Sequence, residues 1–169
     1  MMAEAAPGFL RGKRVVVFGA GYIGGAVAGH AAVAGAHVVA LTRNEGRAAE
    51  LAAQGVATVV ADLTALEQWR DRVPVDAEYV LDAVSSGGGG VAGYRRSYVE
   101  GLRAILAWAG AGHCQGPLIY TSSTSVYPQS GGVEVDETAA TPPAGERAAV
   151  LLEAERLALS WPQGATVLR

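Results

Sequence analysis

The sequence predicts an α/β protein, a doubly wound parallel sheet with helices on both faces, on three observations. A Val-rich strand runs straight into a glycine turn, Gly19-Ala20-Gly21-Tyr22-Ile23-Gly24, that opens a helix. Apolar runs of strand length then alternate with helical patterns at the spacing of βαβ units. Finally, 50% of the 169 residues are hydrophobic, and the Val-rich runs and Ala-rich helices suit strands covered on both sides.

The first strand is read over Arg14–Phe18, and the first helix from about Tyr22 to Ala34, with Gly35 as its stop signal. His37–Thr42 is the second strand and Arg47–Gln54 the second helix, again closed by a glycine, Gly55. Thr58–Ala61 reads as strand three, with Asp62 at its C-terminal end. A short helix around Leu66–Asp71 leads through Pro74 to strand four, Tyr79–Ala83. Ser85-Ser86-Gly87-Gly88-Gly89-Gly90 is a loop in which nothing fixes the backbone. Helix four covers about Tyr94–Ala109 and strand five Leu118–Ser122. The polar stretch from Pro128 to Gly145 is a surface loop. In the last helix, Glu146–Ser160, Val150, Leu151, Ala154, Leu157 and Ala158 recur at helical spacing. Ala165–Leu168 begins a sixth strand, so the expected order is 3-2-1-4-5 plus that start. The whole of 1–169 is expected to be a single domain, without internal repeats.

Composition excludes several function classes. A net charge of −3 leaves no basic footprint for nucleic acid, and Arg95-Arg96 reads as a solvated helix start. The lone Cys114 forms no internal disulfide, which fits a reducing compartment. No apolar run reaches membrane-spanning length, and residues 1–12 hold no signal-length apolar core, so a cytoplasmic location without membrane contact is expected. His30, His37 and His113 are scattered without metal-ligand spacing, and no metal is expected. Trp69, Trp108 and Trp161 are expected in the core or an interface.

The glycine turn carries the chemistry. A pyrophosphate needs close backbone approach and the positive end of a helix dipole. Gly19 makes the tight turn, Gly21 removes the side chain that would block the phosphates, and Gly24 lets helix pack on strand; Tyr22 and Ile23 lie between. About twenty residues on, NAD sites place a carboxylate on the adenosine ribose. Here Leu41-Thr42-Arg43-Asn44 stands instead. Arg43 can fork onto a 2′-phosphate, with Thr42 and Asn44 adding hydrogen bonds, so NADP is preferred over NAD. Arg47 competes for that role, and a solvated loop cation is the plainer reading of Arg43. Asp62 is placed to accept from the adenine amino group while Leu63 packs on the ring.

Taken with Asp62-Leu63, the glycine turn and the segment Tyr120-Thr121-Ser122-Ser123-Thr124-Ser125-Val126-Tyr127-Pro128 resemble the extended short-chain dehydrogenase/reductase superfamily, the NAD-dependent epimerase/dehydratase group. The resemblance continues through Val135-Asp136-Glu137-Thr138, Pro142, Glu155-Arg156-Leu157 and Thr166-Val167-Leu168-Arg169. It implies a three-layer Rossmann fold and a hydroxyl at Ser123 that polarises a substrate oxygen. It also implies a Tyr that exchanges the proton and a Lys four residues later that lowers its pKa. Those two slots fall on Arg147 and Leu151, and neither residue can do the work. Phe18 replaces a glycine of the extended pattern, and Tyr98 stands near the family's helix-four Asn. These departures resemble the atypical members that keep the cofactor fold without the Tyr-Lys pair. The family's C-terminal substrate region is expected to be absent.

Ser123 and Tyr127 are therefore the catalytic candidates, the first as oxygen-binding hydroxyl and the second as proton donor; a turn serine and a half-buried aromatic are the plainer readings. The expectation is an oxidoreductase or epimerase-like activity on a carbonyl or sugar-nucleotide substrate. A non-catalytic dinucleotide-binding sensor and a truncated piece of a larger enzyme are the alternatives. The helices at 94–109 and 146–160 correspond to the pair that forms a homodimer interface in the resembling family.

Overall fold

A computed structural model describes residues 8–169; the first seven residues of the N-terminal stretch read for a signal core lie outside the described residues. Six parallel strands form one sheet in the order β3-β2-β1-β4-β5-β6, the order expected from sequence with the sixth strand at the edge. They are β1 (Arg14–Phe18), β2 (His37–Thr42), β3 (Ala57–Val60), β4 (Tyr79–Asp82), β5 (Leu118–Thr121) and β6 (Ala165–Leu168). The helices are α1 (Tyr22–Val33), α2 (Glu45–Ala52), α3 (Gly90–Tyr94), α4 (Gly101–Gly112) and α5 (Glu146–Leu159), and a π segment, Arg95–Glu100, joins α3 to α4.

Alternation of side chains along each strand separates two apolar layers. Val15, Val17, Val38, Ala40 and Leu81 face Ala28 and Ala31 of α1 and Leu51 of α2. Val16, Phe18, Val80, Leu118 and Tyr120 face the other way, against Leu102, Ile105 and Trp108 of α4 and Val150 and Ala154 of α5. In this second layer the Phe18 ring packs edge-on against Trp69 and Trp108, with centroids 5.3 and 5.2 Å away. The three tryptophans are buried. Each indole N–H has a backbone acceptor: Leu63 for Trp69, Val73 for Trp108 and Gly116 for Trp161. That is how a polar ring edge is accommodated in a core.

The structure corrects several local readings. Helix four starts at Gly90 rather than Tyr94, because Gly93 packs its bare Cα against the Gly88 carbonyl, where a Cβ would collide. Arg95 and Arg96 are exposed, as expected, but do not start the helix. They lie inside the π segment and pair with Glu153 and Asp62. The helix expected around Leu66–Asp71 is a 3-10 turn, Leu66–Gln68. The second helix begins two residues early, at Glu45, because Asn44 caps it: its Oδ1 accepts from the Arg47 amide at 2.9 Å.

Candidate functional site

A cavity of about 430 Å³ opens at the carboxyl ends of β1, β2, β3 and β4, where open α/β sheets hold ligands. Its near wall is the β1–α1 turn. Gly19 has φ +80°, and a Cβ there would stand 2.6 Å from the Val84 backbone, so this position demands glycine twice over. Gly24 has no room for a side chain against the Gly19 carbonyl. Gly21 is different. A Cβ there would meet no protein atom, yet it lines the cavity; the missing side chain leaves the space in front of it open. The first bond of α1 runs from the Gly25 amide to the Gly21 carbonyl, so the amides of Tyr22, Ile23 and Gly24 precede it and are unclaimed by the helix. The Tyr22 and Ile23 side chains point to solvent.

The second wall is the end of β2. Thr42 is buried and its Oγ1 accepts from the Asn44 amide at 3.2 Å. Arg43, Asn44 and Thr42 all line the cavity. Arg47 does not; its Nε–H reaches the Ala20 carbonyl at 3.4 Å and its Nη1 pairs with Glu50 at 2.7 Å. Arg43 forms no ion pair among the described residues, and its guanidinium lies over Gly87, where a Cβ would come within 2.9 Å of Nη2.

Asp62 and Leu63, just beyond β3, close the far end. Asp62 Oδ1 accepts from the Thr64 amide (2.9 Å) and hydroxyl (2.8 Å), and Oδ2 from Arg96 Nη2 (2.9 Å). Partial burial would raise this carboxyl's pKa, but the Thr64 and Arg96 donors together hold it below the ordinary aspartate value. Leu63 is nearly buried, with its side chain against Gly101.

Beneath the cavity lies Asp82, the last residue of β4, 2% exposed. Its Oδ1 accepts from the Val84 amide at 3.0 Å and so fixes the turn that Gly19 packs against. Burial pushes its pKa up to about 7, against the opposite pull of that amide. Its lateral neighbour Tyr120 shares the same face. The Tyr120 hydroxyl is buried without a hydrogen-bond partner among the described residues, and burial raises its pKa too.

Ser123 and Tyr127 stand outside this cavity. Ser123 caps the turn Thr124–Val126, its Oγ accepting from the Ser125 amide at 3.2 Å. The Tyr127 hydroxyl accepts from Arg169 Nη1 at 3.2 Å, and the same guanidinium lies 5.2 Å from its ring centroid. Behind them Glu155, 4% exposed, accepts from the Ser122 hydroxyl (2.5 Å) and from Arg169 Nη2 (2.7 Å). The slots left by the missing Tyr-Lys pair are filled differently. Arg147 stacks over the Tyr94 ring at 5.1 Å, and Leu151 is buried with Val126, Tyr94 and Tyr98. Of the residues expected from sequence, Gly19, Gly21, Thr42, Arg43, Asn44, Asp62 and Leu63 thus meet at one cavity, while Ser123 and Tyr127 form a separate group at the end of β5.

Sequence reasoning missed Arg96, Asp82, Glu155 and Arg169. Glu155 and Arg169 entered the sequence reading only as part of the family resemblance and Arg96 only as a surface cation, while Asp82 lay unremarked inside the fourth strand. No three His, Cys, Asp or Glu side chains cluster as metal ligands among the described residues, and no helix there is long and apolar enough to cross a membrane.

The model of the family described as NAD dependent epimerase/dehydratase matches residues 15–163. Among solved structures, a candidate NAD-dependent epimerase/dehydratase from Methylobacillus flagellatus is similar at 28% identity and TM-score 0.71, over 93% of this chain and 53% of that one. The UDP-Glc/GlcNAc 4-epimerase of Campylobacter jejuni has TM-score 0.79 at 15% identity, over 94% and 53%. UDP-glucose 4-epimerase of Brucella ovis, solved in complex with NAD, has TM-score 0.76 at 21% identity, over 93% and 51%. The chain spans about half the length of each. A comparison with curated proteins gave no match.

Proposed function

The chain belongs to the NAD dependent epimerase/dehydratase family, and from that premise we propose that its crevice binds a nicotinamide dinucleotide, NADP(H) ahead of NAD(H), to serve an oxidoreductase or epimerase-like reaction. The observation that carries the reading is Gly21, where an added Cβ would meet no protein atom and only open cavity stands before it. The unclaimed amides of Tyr22, Ile23 and Gly24 donate to the pyrophosphate at the positive end of α1. Arg43 takes a 2′-phosphate, free of any carboxylate among the described residues and backed by Thr42 and Asn44. When bound, the nicotinamide supplies hydride transfer. Ser123 orients a substrate oxygen from the end of β5, and the Tyr127 hydroxyl, held by Arg169, is the nearby proton carrier.

A second reading, a non-catalytic dinucleotide sensor, draws on the filling of the Tyr and Lys slots by Arg147 and Leu151. The same proposal includes a reducing compartment, in keeping with buried Cys114. It also includes a homodimer through the helices at 94–109 and 146–160, which sedimentation equilibrium tests.

Calorimetric titration with NADPH and NADH tests the main reading. The expected result is saturable binding favouring NADPH, abolished by Gly21→Trp and reduced to equal affinities by Arg43→Ala. Unchanged affinity in Gly21→Trp would sink the crevice assignment. Hydride exchange with any carbonyl substrate would remove the sensor alternative.

A further inference from the structure

Arg96 belongs to the crevice wall although no strand end supplies it. The π segment does. Its wide turn sends successive side chains to different tasks: Arg95 to Glu153 on α5 at 2.6 Å, Arg96 to Asp62 at 2.9 Å, and Tyr98 to accept from the Ser86 amide at 3.3 Å. Such segments recur at functional sites because they re-aim side chains that a regular helix would stack.

Among the described residues only Nη2 of the Arg96 guanidinium is engaged, by Asp62 and by Thr64 Oγ1 at 3.1 Å. Nε, Nη1 and the flat face have no partner among the described residues, and the side chain is 60% exposed. One π turn further on, Gly101 leaves space that a Cβ would take from Leu63, standing 2.9 Å from its Cδ2. This end of the cavity therefore combines an apolar floor (Leu63), a carboxylate with a lone pair to spare (Asp62) and a tethered planar cation. A purine offers a matching set: a flat apolar ring, an exocyclic amino donor and ring-nitrogen acceptors.

We propose that Arg96 is a base-contacting residue, its guanidinium tethered by Asp62 against the adenine ring that Leu63 supports. The proposal rests on the dinucleotide reading of the crevice and deepens it. Arg43 serves the ribose phosphate, whereas Arg96 serves the base, so its loss weakens NADPH and NADH alike.

Calorimetric titration of the 169-residue chain with NADPH, NADH, AMP and nicotinamide mononucleotide tests this. Arg96→Ala should weaken the three adenine compounds by one common factor, roughly tenfold for a partly desolvated cation–π contact. Nicotinamide mononucleotide should be unaffected. Arg96→Lys, which keeps a charge for Asp62 but no planar face, should recover little of the loss. Affinities within about twofold of wild type in Arg96→Ala, or full rescue by Arg96→Lys, overturn the proposal and leave the dinucleotide reading standing. So does a loss confined to NADPH, which would assign Arg96 to the 2′-phosphate. A wild-type chain that binds none of the four compounds overturns both.

Discussion

Asp82 is the residue whose chemistry and position conflict most. A carboxyl at the end of a central strand, 2% exposed, has the Val84 amide as its donor, and burial carries its pKa up to about 7. In the unfolded chain an aspartate titrates near 4. Below that range both states hold the proton and folding bears no penalty. As pH rises, the unfolded chain releases its proton while the native state keeps it, and stability falls until the native carboxyl also ionises near 7. Asp82→Asn keeps the acceptor for Val84 and removes the titration. Urea denaturation from about pH 5 to about pH 8 should therefore show the variant gaining on wild type, by a few kcal/mol at the upper end. Parallel stability curves would mean that Asp82 titrates normally. Its position under the Gly19–Val84 contact means that the same proton is linked to the shape of the crevice wall.

At the scale of elements, Glu155 ties three together. From α5 it takes the hydroxyl of Ser122 at the end of β5 and the guanidinium of Arg169 after β6, with side-chain exposures of 5% and 23% for the ion pair. Breaking a buried pair from one side strands the other charge, at about 3–5 kcal/mol. Glu155→Ala should lose about that much in urea denaturation and speed hydrogen exchange at the Ser122 amide, which bonds the Leu168 carbonyl at 2.7 Å. Glu155→Gln should lose less, because its amide still accepts from Ser122. Equal stability of Glu155→Ala and wild type would reduce this network to surface ornament. The strands were legible because each follows from a local rule, alternation or apolar runs for β1 to β6, and Gly35 and Gly55 marked where the first two helices give out. The cap at Asn44 was not legible, because the same side chain was assigned to the ligand. Nor was the π segment. Nothing in Arg95-Arg96-Ser97-Tyr98-Val99-Glu100 departs from an ordinary helical pattern, and its geometry is set by contacts with Glu153, Asp62 and Ser86, up to 58 residues away. With it went Arg96, the crevice residue least visible in the sequence.

Across the whole molecule, two apolar layers on either side of one parallel sheet leave the ligand-facing edge to short turns after each strand. The cavity was legible to the extent that each turn carries its own signature, as the glycines after β1, Thr42-Arg43-Asn44 after β2 and Asp62-Leu63 after β3 do. Which turns share a wall depends on strand order, and Ser123 and Tyr127 fall to the other side of β4 for that reason. The aromatic cluster of the second layer has one further consequence. Trp69 is fully buried and donates to the carbonyl of Leu63, a residue of the cavity floor, at 2.9 Å. Its indole thus sits one peptide unit behind the crevice, sealed from solvent and beyond touch of any occupant. Indole emission overlaps the absorption of reduced nicotinamide, so occupancy by a reduced dinucleotide should dim the protein's ultraviolet luminescence through space, by resonance transfer rather than collision. Replacing Trp69 with Phe should remove its share of that dimming at unchanged affinity, while Trp108, 6.4 Å from Trp69, carries another share; dimming that survives intact would mean that Trp69 contributes none.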